Sequence, residues 1–516
     1  MTLPSQELGT SIPITSKHAI SVTLPTWQLV LDFLERDESV LQKMPMGYPR
    51  FQIHPSIKKL CAYLEGLYAK EGEVAFVFPT YNVAKRCCDF VVEKSEIIPN
   101  VRVLQLAAVS PKGECEMDVV FLPESEFALA KTYWEYSGQG ISSRFAEYVL
   151  YHCEIKQRAL GSSNTLKLSN AKDLVRSRIA DILNDNGSKS EHTDKDDIYL
   201  YPSGMSTIFN IHRCMLDTLP NAKSVCFGFP FVDTLGILKD VGPGVHFYGF
   251  GDEESLDSLE DRLANGERIL GLFCECPSNP LLKTPNLQRL HELSIRYRFP
   301  VVVDDTISGF YKVDVRPYAD VIVSSLTKFF SGEADLMAGS LILNKESSFY
   351  NTFKKYFNQS FEDTFWEEDA IQLEINSRDF VSRCQLANTN TEAVLSLFKA
   401  CPIISKVFHP SVDKSKVYFD SVKTKHGSYG MLISIVFEKE EQSAAFYDAL
   451  DLHKGPSLGT NFTLVIPFVL LAHYKELDDV KQWGVDRNLI RLSIGLENKE
   501  LLLKSFQKAL DCAMRV

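Results

Sequence analysis

The sequence predicts an α/β protein on a mostly parallel central sheet, with a small C-terminal α+β domain and an N-terminal extension. Three observations predict it. Beyond residue 197, short apolar, β-branched runs alternate with helical patterns, the rhythm of a parallel sheet covered on both faces. After about residue 395 the pattern changes to strand-like runs flanked by amphipathic helices. At 516 residues the chain is also too long for one ordinary domain. The expected divisions are 1–130, 131–395 and 396–516.

Ala75–Pro79 and Val119–Leu122 are the strand-like runs of the N-terminal third. The polar stretch 184–197 is nearly free of apolar residues and is expected to be a solvated loop. Ser224–Phe227, Ile269–Cys274, Val301–Val303 and Val321–Val323 read as buried strands. Asn286–Arg298, with Leu287, Leu290, Leu293 and Ile295, reads as an amphipathic helix. In the last domain, Tyr429–Phe437 and Leu489–Ile494 look like strands of an antiparallel sheet, flanked by helices over 441–452 and 499–513.

Composition excludes several classes of function. The chain carries 55 Lys and Arg against 67 Asp and Glu, a formal charge of −12, which argues against nucleic-acid or anionic-membrane binding. The longest apolar run, Leu464–Ala472, is about nine residues and contains Pro467, short of the roughly 18 a spanning helix needs. No secretory signal is visible in Met1–Lys17, and Cys512 lies one place too early for a prenylation box. The 12 cysteines are scattered and match no zinc spacing, so no metal is expected. They read as reduced thiols of a cytoplasmic protein.

In open α/β sheets ligands bind beyond the carboxyl ends of the strands, and three predicted strands end in polar groups there. Val301–Val303 runs into Asp304-Asp-Thr, Val321–Val323 into Ser324-Ser-Leu-Thr-Lys328, and Phe273 into Glu275-Cys-Pro-Ser-Asn279. Tyr201-Pro-Ser-Gly-Met-Ser206 precedes a predicted helix over 207–216, whose first N–H groups suit an anion. Singly, each feature is ordinary: a cap, a turn, a surface lysine. Together they have one chemical logic. A strand-end lysine forms a Schiff base with an aldehyde cofactor, a neighbouring carboxylate keeps a pyridinium protonated, and a helix N-terminus seats a phosphate. That set describes pyridoxal phosphate.

At these residues the chain resembles the pyridoxal-phosphate enzymes of trans-sulfuration, the cystathionine γ-synthase and γ-lyase group. Ser203-Gly-Met-Ser206, Pro277-Ser-Asn-Pro-Leu-Leu-Lys283, Val303-Asp-Asp-Thr306 and Ser325-Leu-Thr-Lys328 carry the resemblance, with Ser457-Leu-Gly459 and Arg491–Glu497 in the last domain. Leu24-Pro-Thr-Trp27, Gly47-Tyr-Pro-Arg-Phe51, Gly140–Arg144 and Asn376–Phe380 look like the fungal cystathionine γ-synthase branch, with its long N-terminal extension.

The resemblance implies fold type I, the aspartate-aminotransferase-like fold, and pyridoxal 5′-phosphate as cofactor. It implies Lys328 as Schiff-base lysine and mobile acid/base, and Asp304 on the pyridinium. Asn279 would contact the ring hydroxyl and Phe231 would stack on the ring. Gly204, Met205, Ser325 and Thr327 would bind phosphate. Arg491 and Ser457 would hold the substrate carboxylate, and Tyr136 would stand in the segment a neighbouring subunit lends. A homodimer or homotetramer acting on small amino-acid substrates is implied.

Three positions depart from that pattern. Phe231 stands for the stacking tyrosine, Ser324 for a histidine, and Tyr136-Ser-Gly138 lacks the phosphate arginine, for which Arg144 is a candidate substitute. The implied reaction is γ-replacement on an O-acylhomoserine with cysteine, giving cystathionine, in methionine and cysteine metabolism. The alternatives are a sulfhydrylase using sulfide, a γ-lyase, or a non-catalytic relative that kept the fold.

Overall fold

In the computed structural model, residues 6–158, 169–185 and 190–516 are described. The chain opens with a short antiparallel ladder, β1 (Ser11–Ile12) against β2 (Ser21–Val22). The helix Trp27–Leu34 follows, with its Trp27 N–H donated to Asp448 at 2.7 Å. Val22, Leu24, Trp27 and Val30 are buried in the core of the C-terminal domain. Residues 22–30 therefore pack on the C-terminal domain, away from the N-terminal sheet.

The N-terminal sheet is four-stranded and antiparallel. Its strands are β3 (Glu73–Phe78), β4 (Arg102–Ser110), β5 (Gly113–Pro123) and β6 (Glu154–Gln157), in the order β3-β5-β4-β6. One face packs Leu60 and Leu64 of helix Pro55–Tyr68 with Phe145 and Val149 of helix Ser143–His152. The other face, through Val83, Cys87, Tyr133 and Trp134, joins the core of the central domain. The division expected near residue 130 lies inside this layer, because β6 is contributed from beyond it.

The central sheet has seven strands: β7 (Ile198–Tyr201), β8 (Ser224–Phe227), β9 (Val245–Tyr248), β10 (Leu272–Glu275), β11 (Val301–Asp304), β12 (Val321–Ser324) and β13 (Gly339–Leu343), in the order β7-β13-β12-β11-β10-β8-β9. β9, β8, β10, β11 and β12 are parallel, and β13 runs antiparallel to both β12 and β7. Valines at 301, 302, 303, 321 and 323 are at most 1% exposed, as strands covered on both faces require. Glu275 pairs in register with Asp304, and Asp304 with Val323. Parallel pairing thus puts the polar strand ends in one row.

Within the 184–197 stretch, residues 191, 192 and 194–196 are exposed, as expected of a solvated loop, while Thr193 and Asp197 are buried. Residues 186–189 lie outside those described, but Asn184 is tied to Thr193 by two hydrogen bonds of 2.9 and 3.0 Å. The C-terminal sheet comprises β14 (Ile404–Phe408), β15 (Leu432–Phe437), β16 (His453–Lys454), β17 (Leu464–Pro467) and β18 (Ile490–Ser493). It is antiparallel apart from the β16–β17 pair, which is parallel. Helices Glu440–Ala449 and Lys499–Ala513 flank it, close to the positions read from sequence.

Candidate active site

The carboxyl edge of the central sheet forms one wall of a cavity of about 910 Å³. Lys328, Asp304, Gly204, Met205, Phe231, Asn279, Ser325, Ser457 and Arg491 all line it. Three separate stretches of chain, from the central domain, the C-terminal domain and the N-terminal segment, meet there.

Lys328 lies four residues beyond the end of β12. Its Nζ donates to Ser457 Oγ at 3.0 Å and to Tyr48 Oη at 3.1 Å. Burial holds its pKa below the usual lysine range, and the positive charges of Arg491 and Arg50 act the same way against Tyr48. Ser457 takes a positive φ of 91°, an uncommon conformation for a non-glycine residue. In it, the hydroxyl reaches Lys328 while the carbonyl accepts Arg491 Nη2 at 2.6 Å. Arg491 Nη1 donates to Asn279 Oδ1 at 3.1 Å, and the guanidinium lies 4.3 Å from the Phe468 ring centroid. Burial lowers the Arg491 pKa to about 9, which leaves it a cation at neutral pH.

Glu275 and Asp304 end adjacent parallel strands. Glu275 accepts the Phe231 N–H at 2.6 Å and the Asn279 N–H at 2.9 Å, and so sets the loops that carry both. Burial, with the Asp304 charge beside it, raises Glu275 to about 8. Burial likewise raises Asp304, which accepts the Thr306 N–H at 2.9 Å. No cationic side chain forms an ion pair with Asp304 among the described residues.

The raised Glu275 carboxyl has a consequence for stability. Between its ordinary 4.5 and about 8 the folded state holds a proton that the unfolded state has lost, so stability falls as pH rises through that window. In the cofactor-free protein, Glu275→Gln should flatten this decline. Thermal unfolding at pH 5 and pH 8 checks it, and an unchanged pH slope in the variant would count against the assignment.

At the anion end, Ser203 caps the helix Gly204–Thr218 by accepting the Ser206 N–H. A Cβ on Gly204 would stand 2.7 Å from Ser325 Cβ, so glycine lets the helix N-terminus and the Ser325 hydroxyl converge. Thr327 is not brought here. Its hydroxyl bridges the Ala338 N–H and C=O at 3.0 and 3.2 Å, locking the β12–β13 connection. Tyr136 is also outside the cavity and donates its hydroxyl to Asp240 at 2.7 Å.

Arg144 is held by Asp335 and Asp369 at 2.7–3.1 Å and lines a separate, smaller cavity of this chain. Gly138 itself has φ +57°, and a Cβ there would lie 2.1 Å from Ser203 Oγ. Gly138→Arg should therefore cost about 1–3 kcal/mol of stability in strain and overpacking. Urea denaturation checks it; a neutral result would mean that this close approach is relaxed in solution.

Residues not singled out individually from sequence also meet here: Tyr48, Arg50, Asp233 and Thr306. Arg50 is 3% exposed. It donates to the Glu135 carbonyl at 2.6 Å, forms an ion pair with Asp233, and lies 5.3 Å from the Phe231 ring centroid. The signal was the Gly47–Phe51 stretch, but no local pattern ties it to a strand end some 280 residues away.

A model of the Cys/Met metabolism PLP-dependent enzymes matches residues 184–511, and one of the fungal trans-sulfuration N-terminal domain matches 56–142. The chain is 38% identical to cystathionine γ-synthase of Saccharomyces cerevisiae, over 99% of each protein. It is also 38% identical, over 99% of each, to cystathionine γ-synthase of Neurospora crassa. Among solved structures, cystathionine γ-synthase of Xanthomonas oryzae pv. oryzae in complex with aminoacrylate and cysteine shares the fold. The TM-score is 0.58 at 20% identity, over 69% of this chain and 90% of that one.

Fold and site together define a pyridoxal-phosphate enzyme of the open α/β class. The chain belongs to the family of Cys/Met metabolism PLP-dependent enzymes. The residues present fit the cofactor. Asp304 is a half-buried carboxylate facing the cavity without a cationic partner among the described residues, which a protonated ring nitrogen would satisfy. Lys328 supplies the amine, and the Gly204–Ser325 approach supplies a cradle that a side chain at 204 would fill.

Proposed function

We propose that the protein catalyses γ-replacement on an O-acylhomoserine (O-acetyl or O-succinyl), adding cysteine at Cγ to give cystathionine. One observation carries this reading: the Lys328–Ser457–Arg491 constellation. An α-amino acid whose carboxylate is forked by Arg491 is held beside the Lys328 amine, with Ser457 joining the two.

When bound, the cofactor supplies an electron sink for negative charge developing on the substrate. Asp304 would hold the ring-nitrogen proton, while Gly204 and Met205 N–H groups and the Ser325 hydroxyl would bind the phosphate. With substrate bound, Lys328 would be a free amine placed to take the proton from Cα and, once it has given that proton up, the proton from Cβ. The γ-acyloxy group leaves with its bonding pair, the cysteine thiolate adds at Cγ, and Lys328 returns the protons. Met205, Ile208, Phe231 and Phe468 line the apolar side of the cavity and limit water there.

A cavity of about 910 Å³ has room for cysteine as well as the first substrate, which supports the synthase reading over one using sulfide. The reading includes a cytoplasmic enzyme, supported by 12 free cysteines, and a homodimer or homotetramer, to be checked by light scattering.

The test gives the loaded enzyme O-acetylhomoserine with cysteine and sulfide together, and identifies products by mass spectrometry. Cystathionine is expected to dominate. Mostly homocysteine would make it a sulfhydrylase, and neither product would remove γ-replacement altogether.

A further inference from the structure

Lys312 has no place in the mechanism above, yet it puts a cation in the interior, 1% exposed. It follows the turn that runs on from Asp304. Its Nζ donates to the Ile307 carbonyl at 3.0 Å and to the Ser308 carbonyl at 3.1 Å, and stands 4.6 Å from the Phe329 ring centroid. Phe329 is the residue after Lys328. One ammonium thus touches both the turn that presents Asp304 and the loop that presents Lys328.

The turn is already tied by other bonds. Asp304 accepts the Thr306 N–H at 2.9 Å, the Thr306 hydroxyl accepts the Ser325 N–H at 2.7 Å, and the Ser308 hydroxyl donates to the Cys276 carbonyl at 2.8 Å. The Lys312 carbonyl accepts the Thr424 N–H at 3.0 Å, which brings the C-terminal domain to the same point. None of these bonds uses a charge at 312. Burying an ammonium is costly unless an opposite charge compensates it, and two carbonyls and a ring face do so only in part.

The compensating charge lies among three carboxyls at the sheet edge. Glu275 and Asp304 end adjacent strands, and Asp305, the next residue, is 1% exposed. Asp305 Oδ2 accepts the Phe310 N–H at 3.0 Å, while Oδ1 is buried with no hydrogen-bond partner among the described residues. The side chains that act on this carboxyl are Asp304, Ser324 and Lys312, and burial with the Asp304 charge raises it to about 7. Lys312 itself faces Asp305 and Cys384. Burial pushes that thiol above its ordinary range, so it brings no negative charge at neutral pH. Neighbouring carboxylates oppose one another's ionisation, and a cation beside them relieves that.

We propose that Lys312 is the positioning residue of Asp304: its ammonium fixes the turn after β11 and supplies the charge that lets Asp304 meet the cofactor ring as a carboxylate. The proposal rests on the assignment of Asp304 to the ring nitrogen made above. Its sign follows from electrostatics. Without the ammonium, Glu275, Asp304 and Asp305 keep their protons to higher pH. A protonated Asp304 cannot pair with a protonated ring nitrogen, so the loss is largest in acid and fades as pH rises.

The test uses the full-length protein with Lys312→Met, which keeps the reach of the side chain and removes its charge, and the double variant Lys312→Met/Asp305→Asn. Absorbance titration with pyridoxal 5′-phosphate from pH 6 to pH 9 reads the affinity of each relative to wild type. In Lys312→Met that affinity should fall about 10-fold at pH 6 and less than about threefold at pH 9. In the double variant the neighbouring carboxyl is gone, and the pH 6 value should return to within about threefold of wild type. A second readout needs no cofactor. Between pH 5 and pH 8, thermal unfolding should show stability falling more steeply in Lys312→Met, because the folded state holds carboxyl protons longer. The double variant should restore the wild-type slope.

Wild-type affinity at pH 6 in Lys312→Met would overturn the proposal. So would an equal loss at every pH, or a loss that Asp305→Asn leaves in place, since either reduces Lys312 to packing. Failure of both variants to fold would overturn it in the same way. Failure of the Asp304 assignment is seen separately, as wild-type cofactor affinity in Asp304→Asn.

Discussion

Lys328→Ala should abolish covalent attachment of the cofactor and reduce turnover by at least about 1,000-fold. The size of the effect follows from position. Lys328 stands beyond the carboxyl end of β12 and lines the cavity together with Asp304 and Arg491, and its Nζ is shared between Ser457 and Tyr48. On the proposed reading, removing it deletes both the anchor for the aldehyde and the base that removes substrate protons. The flanking hydroxyls cannot replace an amine as imine former. The shift of the visible band on adding pyridoxal 5′-phosphate, and single-turnover product formation, check the result. A variant with wild-type spectrum and turnover would displace the whole site assignment, including the reading of Asp304.

Arg491→Lys should lower kcat/KM for the acylhomoserine substrate by about 2–4 kcal/mol, roughly 30- to 1,000-fold, while cofactor affinity stays unchanged. Arg491 is 4% exposed, and its two Nη atoms already donate to Asn279 and to the Ser457 carbonyl. A lysine keeps the charge but loses the planar fork that serves the loop and a carboxylate together. It also leaves the Ser457 carbonyl or the Asn279 amide short of a donor, so the loop that presents Ser457 to Lys328 loosens. Steady-state kinetics with cofactor titration separates the two quantities. A fall in kcat/KM of less than about threefold would mean that the substrate carboxylate is held elsewhere.

These expectations show how much was legible in the sequence. Lys328, Asp304, Asn279, Gly204 and Arg491 sit in short motifs at strand and helix ends, and parallel register then placed Glu275 beside Asp304. Valine runs marked β11 and β12 because both of their faces are buried. β13, Gly-Ser-Leu-Ile-Leu, and β7, Ile-Tyr-Leu-Tyr, were not marked. They lack the valine runs that marked β11 and β12, and they form the antiparallel side of the sheet. Thr327 shows the limit of a motif: it lies one residue from Lys328, yet its hydroxyl serves the Ala338 backbone.

What the sequence by itself determined is the central chemistry: the alternating apolar runs that build the sheet and the polar residues at their ends. Both are local, because a strand end fixes which residues leave the sheet together. What only the tertiary structure decided is how the cavity is closed. It brought Tyr48 and Arg50 to Lys328 and Phe231, turned Tyr136 out towards Asp240, and packed Gly138 against Ser203 where no side chain fits. It also paired Arg144 with Asp335 and Asp369. Those outcomes depend on how the N-terminal strap, its sheet and the C-terminal domain dock. Docking is governed by burial of separate apolar faces and pairing of distant charges, which no spacing along the chain records.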